Sequence, residues 1–267
     1  MSATNPIGVF DSGVGGLSIL KEVRLLLPQE DLLYYADSAY CPYGEKDPIF
    51  IKERTYKITD FLLSKGAKLI IVACNTASVS ALEDLRDRYP EIDFVGVEPA
   101  IKQGVLHSKN HKVGVLATGV TLSGERFYSL LKRYAGETLI VTQPCHGLVE
   151  RIEAGEIDEG GETERIVREC TAPLVESRVD VIILGCTHYP FIRSLVEKVA
   201  GPEVKIIDTG APVARQTYRV LQEQNLLTPW TRGGSEYFYT SGDPQEVAPV
   251  ICRLWGGLGE GVTGEFL

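Results

Sequence analysis

Short apolar runs rich in Val and Ile recur along the chain, each followed by a longer stretch whose apolar positions repeat at helical spacing. Near-continuous apolar runs belong to strands buried on both faces, and their alternation with amphipathic helices predicts βα units around mostly parallel sheets. The runs predict strands at 6–10, 32–36, 68–73, 93–97, 112–117, 138–142, 180–185 and 204–207. Helices are predicted at 48–64, 77–88, 122–134, 162–176, 190–199 and 211–224. The final stretch, WGGLGEGVTGEFL, is Gly-rich and is expected to be poorly ordered.

The pattern repeats. LIIVACNT at 69–76 resembles VIILGCTH at 181–188, and IGVFDSG at 7–13 resembles VGVLATG at 113–119, at offsets of 112 and 106. Similar offsets for two independent segments point to a duplicated α/β unit. Cys74 and Cys186 then occupy equivalent places at the carboxyl ends of equivalent strands, where open α/β sheets bind ligands. The expected architecture is two similar α/β domains related by a pseudo-twofold axis, with the active site in the cleft between them. The first domain is placed at 1–97 plus 208–267 and the second at 98–207.

Composition narrows the function. A net charge of -9 argues against broad phosphate-backbone binding, so nucleic acid is not an expected partner. It does not exclude a small anionic substrate, because backbone N–H groups can make a local site of opposite sign. No stretch of about 18 apolar residues occurs, which argues against a membrane span. The N-terminal segment MSATNPIGVFDSG carries no signal-peptide pattern, so a cytoplasmic location is expected. Six cysteines in 267 residues are too sparse for a disulfide scaffold, which leaves each one as a core residue or a reagent.

Four segments carry candidate chemistry. VFDSGVGGLS at 9–18 places Asp11 and Ser12 at a strand mouth before a glycine-rich turn, although it matches neither standard nucleotide-binding glycine pattern. ADSAYCPYGEKD at 36–47 puts Asp37 at a second strand end and displays Tyr43 and Gly44 on a turn, with Cys41 read as packing. VACNTAS at 72–78 brings Cys74, Asn75 and Thr76 to a helix start, where a thiol gains thiolate character and free N–H groups can receive a carboxylate. LGCTHYP at 184–190 brings Cys186, Thr187 and His188 together, with His188 able to hold the thiol in the needed ionic state. Zinc is disfavoured, because no C-x-x-C pair is present. A Cys/His hydrolase is the more serious rival, but it leaves one cysteine without a task.

Taken together, GVFDSGVGG, D-x-x-x-x-P-Y-G at 37–44, ACNTAS, LGCTHYP and IIDTGAPVA at 206–214 resemble the glutamate racemases in order and spacing. The resemblance implies an isomerase that interconverts L- and D-glutamate with two cysteines and needs no pyridoxal phosphate, nucleotide or metal. It further implies that Cys74 and Cys186 exchange protons with opposite faces of one α-carbon, Asp11 assisting Cys74 and His188 assisting Cys186. Ser12, Tyr43, Gly44, Asn75, Thr76 and Thr187 would surround the glutamate with Asp11 and His188. It also implies that Thr118 and Thr121 help hold the substrate and that Asp37 and Glu153 support the site; Ala36-Asp37-Ser38 stands where family members often show Gly-Asp-Thr, and CHGLVERIEAG at 145–155 matches the family string in length and final Glu but little else. The resemblance also implies D-glutamate supply for peptidoglycan and allows a homodimer. Two rivals stay open within it: an aspartate racemase, which usually carries an acid where this chain has His188, and a non-catalytic role such as binding DNA gyrase.

Overall fold

The computed structural model describes residues 1–257, 261–265 and 267. The chain forms two compact units, one of residues 1–97 with 210–267 and the other of residues 98–209. In chain order the first unit starts with β1 (Ile7–Asp11), α1 (Leu17–Leu26), β2 (Leu32–Ala36), α2 (Pro48–Ser64), β3 (Leu69–Val72), α3 (Asn75–Arg88) and β4 (Asp93–Gly96). The second unit contains α4 (Ile101–His107), β5 (Lys112–Ala117), α5 (Gly119–Ser123), α6 (Glu125–Tyr134), β6 (Leu139–Pro144), α7 (Leu148–Glu153), α8 (Gly161–Glu176), β7 (Val181–Leu184), α9 (Arg193–Ala200) and β8 (Lys205–Ile207). The chain then completes the first unit with α10 (Gly210–Glu223), β9 (Glu236–Thr240), α11 (Pro244–Trp255) and β10 (Val262–Gly264).

The two sheets share a topology. In the first the order is β10-β9-β2-β1-β3-β4, and in the second it is β6-β5-β7-β8. Dropping the two outer strands β10 and β9 leaves the same winding in both, with β1 corresponding to β5 and β3 to β7. Every described pairing is parallel. The duplication expected from the sequence is therefore present as two similar α/β units.

Burial explains why these strands were readable. All residues of β1, β2, β3 and β7 are buried, since helices cover both faces of a parallel sheet. In the first unit Phe10, Tyr35 and Val72 of the sheet pack with Ile58 and Leu62 of α2 and Leu82 of α3 in one apolar cluster. Each such side chain contributes roughly 1.5–3 kcal/mol by leaving water. Asp11 is the one charged residue of β1, and it sits at the strand's last position, where a carboxylate can find polar partners.

Two sequence expectations change. The Gly-rich end was expected to be poorly ordered, yet Trp255 closes α11 against Phe238 and residues 262–264 pair with β9 in parallel. Residues 258–260 and 266 of that stretch lie outside the described residues. The helix expected at 190–199 is instead a 3-10 turn, Tyr189–Ile192, followed by α9. Pro190 has no N–H to give, and the tighter turn accommodates it. Among the described residues, no helix is long and apolar enough to cross a membrane.

Candidate active site

In the first unit the candidate residues gather at the carboxyl edge of three neighbouring strands. Asp11 pairs with Ala36, so Asp37 follows directly beside the end of β1, and its N–H donates to the Asp11 carbonyl at 3.0 Å. Phe10 pairs with Val72, which brings Ala73 and Cys74 to the same edge. The turn after β1 closes because the Gly16 N–H donates to Asp11 Oδ2 at 2.8 Å. That turn requires glycine: a Cβ at position 16 would lie 2.7 Å from Asp11 Cβ and 2.9 Å from the Tyr34 hydroxyl.

Cys74 is the N-cap of α3. Its sulfur accepts the Ala77 N–H at 3.5 Å and lies 3.8 Å from Ser12 Oγ. The helix N-terminus and its free N–H groups favour negative charge at this sulfur. The thiol is only 5% exposed. Next to it, both the nitrogen and the oxygen of the Asn75 carboxamide are buried with no hydrogen-bond partner among the described residues. Such a group costs about 1–3 kcal/mol to leave unsatisfied, which a bound ligand would recover. Ser12 and Thr76 are likewise buried at this edge. Cys41, read as packing, sits on the same side with its sulfur 3.9 Å from Ser12 Oγ.

Tyr43 is buried, and its hydroxyl donates to Asp37 Oδ2 at 2.5 Å, while Gly44 beside it is half-buried. Burial, reinforced by the Asp37 charge, holds the Tyr43 phenol well above its ordinary pKa, so it remains a donor. Asp37 also accepts two hydrogen bonds from Arg54, at 2.9 and 2.7 Å. Sequence reasoning missed Arg54. The available signal was its place in the apolar register of α2, between Ile51 and Ile58, where a buried charge needs a partner.

In the second unit Cys186 stands two residues past β7, as Cys74 stands two residues past β3. Gly185 lets the backbone approach β5: its N–H donates to Leu116 O at 2.7 Å, and an added Cβ would meet that carbonyl at 3.1 Å. Cys186 lies ahead of a 3-10 turn rather than an α-helix, so it lacks the helix terminus that serves Cys74. Its partner is His188, whose Nδ1 lies 3.7 Å from the sulfur. His188 Nε2 in turn meets Glu153 Oε1 at 2.5 Å. Thr187 and His188 are buried, and Thr118 caps α5 while its hydroxyl meets that of buried Thr121 at 3.0 Å.

Cys145 Sγ donates to the Gln143 carbonyl and Cys170 Sγ to the Pro144 carbonyl, each at 3.9 Å, and the interaction of the two thiols raises the Cys145 pKa and lowers that of Cys170. The Tyr189 hydroxyl donates to the Cys145 carbonyl at 3.3 Å. Each unit thus presents one thiol at a strand mouth with polar groups able to set its charge.

The family model for Asp/Glu/Hydantoin racemase matches residues 17–217. The chain belongs to this racemase family. A glutamate racemase of Herpetosiphon aurantiacus is 52% identical over 245 residues, covering 92% of this chain and 96% of that protein. The crystal structure of a glutamate racemase isoform of Bacillus anthracis superposes with a TM-score of 0.88 at 27% identity, covering 98% of this chain and 97% of that one. A Francisella tularensis glutamate racemase in complex with D-glutamate superposes with a TM-score of 0.85 at 30% identity, covering 99% and 98%. These relatives are all glutamate racemases.

Proposed function

We propose that this racemase interconverts L- and D-glutamate by a two-base mechanism without a cofactor, with Cys74 and Cys186 as the bases. The observation that carries the reading is the equivalence of the two cysteines. Each follows an inner parallel strand by two residues, and each has its own means of holding a thiolate.

In one direction a thiolate removes the α-proton from one face of glutamate, and the C–H electron pair remains on the α-carbon, delocalised into the carboxylate. The opposite thiol then delivers its proton to the other face. The two sulfurs end with exchanged protonation states, so the reverse reaction runs through the same groups. A free cysteine titrates near pH 8.5, so modest local fields suffice to keep one sulfur charged. Asp11 and Ser12 serve Cys74. At Cys186, Glu153 fixes the proton of His188 on Nε2, which leaves Nδ1 to receive the thiol proton or return it.

Without an electron sink, the developing carbanion needs donors aimed at the α-carboxylate. Asn75 has the strongest claim, because its buried carboxamide has no partner among the described residues. Ser12, Tyr43, Gly44, Thr76 and Thr187 complete the substrate shell, with Thr118 and Thr121 nearby in the second unit. The physiological role that fits this reaction is cytoplasmic supply of D-glutamate for peptidoglycan by a homodimer. The test is incubation of L- or D-glutamate in D2O without added cofactor, following optical rotation and α-deuterium together. Loss of rotation accompanied by deuterium uptake is expected from either enantiomer. Retained rotation, or a requirement for added pyridoxal phosphate, would reject the reading.

A further inference from the structure

Arg54 is held from every side. Its Nε and Nη2 reach both oxygens of Asp37 at 2.9 and 2.7 Å, its Nη1 donates to the Leu267 carbonyl at 2.6 Å, and its guanidinium stacks 4.1 Å over the Tyr40 ring. Both members of the pair are buried, Asp37 completely. A buried ion pair contributes little net stability compared with well-packed apolar residues of the same volume, so stability alone does not account for it. What the pair achieves is geometric. Asp37 is the acceptor of the Tyr43 hydroxyl, and Tyr43 packs in the same apolar cluster as Cys74.

We infer that Arg54 is a positioning residue for the glutamate site: acting through Asp37, it fixes the Tyr43 hydroxyl and with it the Pro42–Gly44 turn beside Cys74. This rests on the proposed placement of Tyr43 and Gly44 at the substrate. Asp37 is thereby assigned to orienting Tyr43, since its two oxygens are engaged by Arg54 and the phenol. The bidentate fork matters, because two parallel N–H donors fix the plane of the carboxylate, whereas an ammonium grips it at a point. Planar control of Asp37 is what aims Oδ2 at Tyr43.

The test is a double-mutant cycle on the full chain with Arg54→Met and Tyr43→Phe, together with Arg54→Lys. Far-UV circular dichroism verifies folding, and racemisation is measured in both directions. Removing the guanidinium should raise the KM for glutamate about tenfold or more with a smaller change in kcat, the scale expected when a binding group drifts. Tyr43→Phe should reproduce that rise, and the double variant should be no worse than the more affected single one, because both act through one hydrogen bond. Arg54→Lys should fall between wild type and Arg54→Met. A purely structural Arg54 would lower the melting temperature without moving KM, and that result overturns the inference, as would additive losses in the cycle. If Arg54→Met does not fold, Arg54→Lys and Tyr43→Phe form the same cycle with the same criteria. A wild-type protein that does not racemise glutamate at all instead defeats the functional reading, so the two failures are distinguishable.

Discussion

Replacing Gly16 with alanine adds one methyl group at the point where β1, β3 and the turn after β1 converge. The new Cβ would lie 2.7 Å from Asp11 Cβ, 2.9 Å from the Tyr34 hydroxyl and 3.1 Å from Ala73 Cβ. None of the three yields easily: two are Cβ atoms tied to strand ends, and the Tyr34 hydroxyl is bonded to the Gly13 carbonyl at 2.6 Å. Overpacking of this kind costs about 1–3 kcal/mol. For a chain of this size each kcal/mol lowers the melting temperature by roughly 2–4 °C, so a fall of about 2–12 °C is expected. Relief requires moving the strand ends that carry Asp11–Ser12 and Cys74, and a displacement near 1 Å at reacting groups can cost about 100-fold in rate. Differential scanning calorimetry and polarimetry on the same preparation measure both effects, with Gly233→Ala as the control because an added Cβ there meets nothing within 4 Å. A Gly16→Ala protein with wild-type melting and wild-type kcat would refute the claim that this turn sets the position of the Cys74 side of the site.

Glu153→Gln keeps a hydrogen-bonding group at His188 but removes its charge, so kcat should fall by about 10-fold or more with little change in KM, and stopped-flow polarimetry checks it. Asp180 accepts hydrogen bonds from Ser108 Oγ and the N–H groups of Lys109 and Asn110 at 2.6, 2.6 and 3.0 Å. Burial pushes its carboxyl up, but these bonds outweigh it and hold the group below its ordinary pKa. A depressed folded pKa contributes stability that is present above the unfolded value near 3.9 and is lost as pH falls through the folded one. The melting temperature of wild type should therefore exceed that of Asp180→Asn at pH 6, and the gap should narrow below about pH 4. A gap that widens on acidification would contradict the assignment.

The strands β1, β2, β3 and β7 were legible because a parallel strand covered on both faces must be apolar throughout, and LIIV and VIIL cannot serve as surface segments. The outer strands β9 and β10 were not. EYFYT is half-buried at the side of the first sheet, and VTG spans three residues, too few for any periodicity. α11 was not predicted, although Asp243 and Pro244 form a helix start, because Pro249 interrupts the helical pattern within it. At the site, the matched strings around Cys74 and Cys186 exposed both thiols, because duplicated strands put equivalent residues at equivalent edges. Partners brought by tertiary folding were harder to see. Glu153 lies 35 residues from His188, and its contact follows from how α7 packs in the second unit. Arg54 belongs to no short motif, and only its buried helical register marked it. The different settings of the two cysteines depended on a 3-10 turn replacing the first turn of a helix, a distinction that hydrophobic spacing does not carry.

If two thiols each handle one face of a single α-carbon, racemisation needs both, and single-cysteine variants measure that need. Cys74→Ala and Cys186→Ala, verified as folded by circular dichroism, are each given L-glutamate and D-glutamate while optical rotation is followed to completion. Neither variant should change the rotation of either enantiomer, while wild type brings both to zero. Undiminished racemisation by either variant would contradict it.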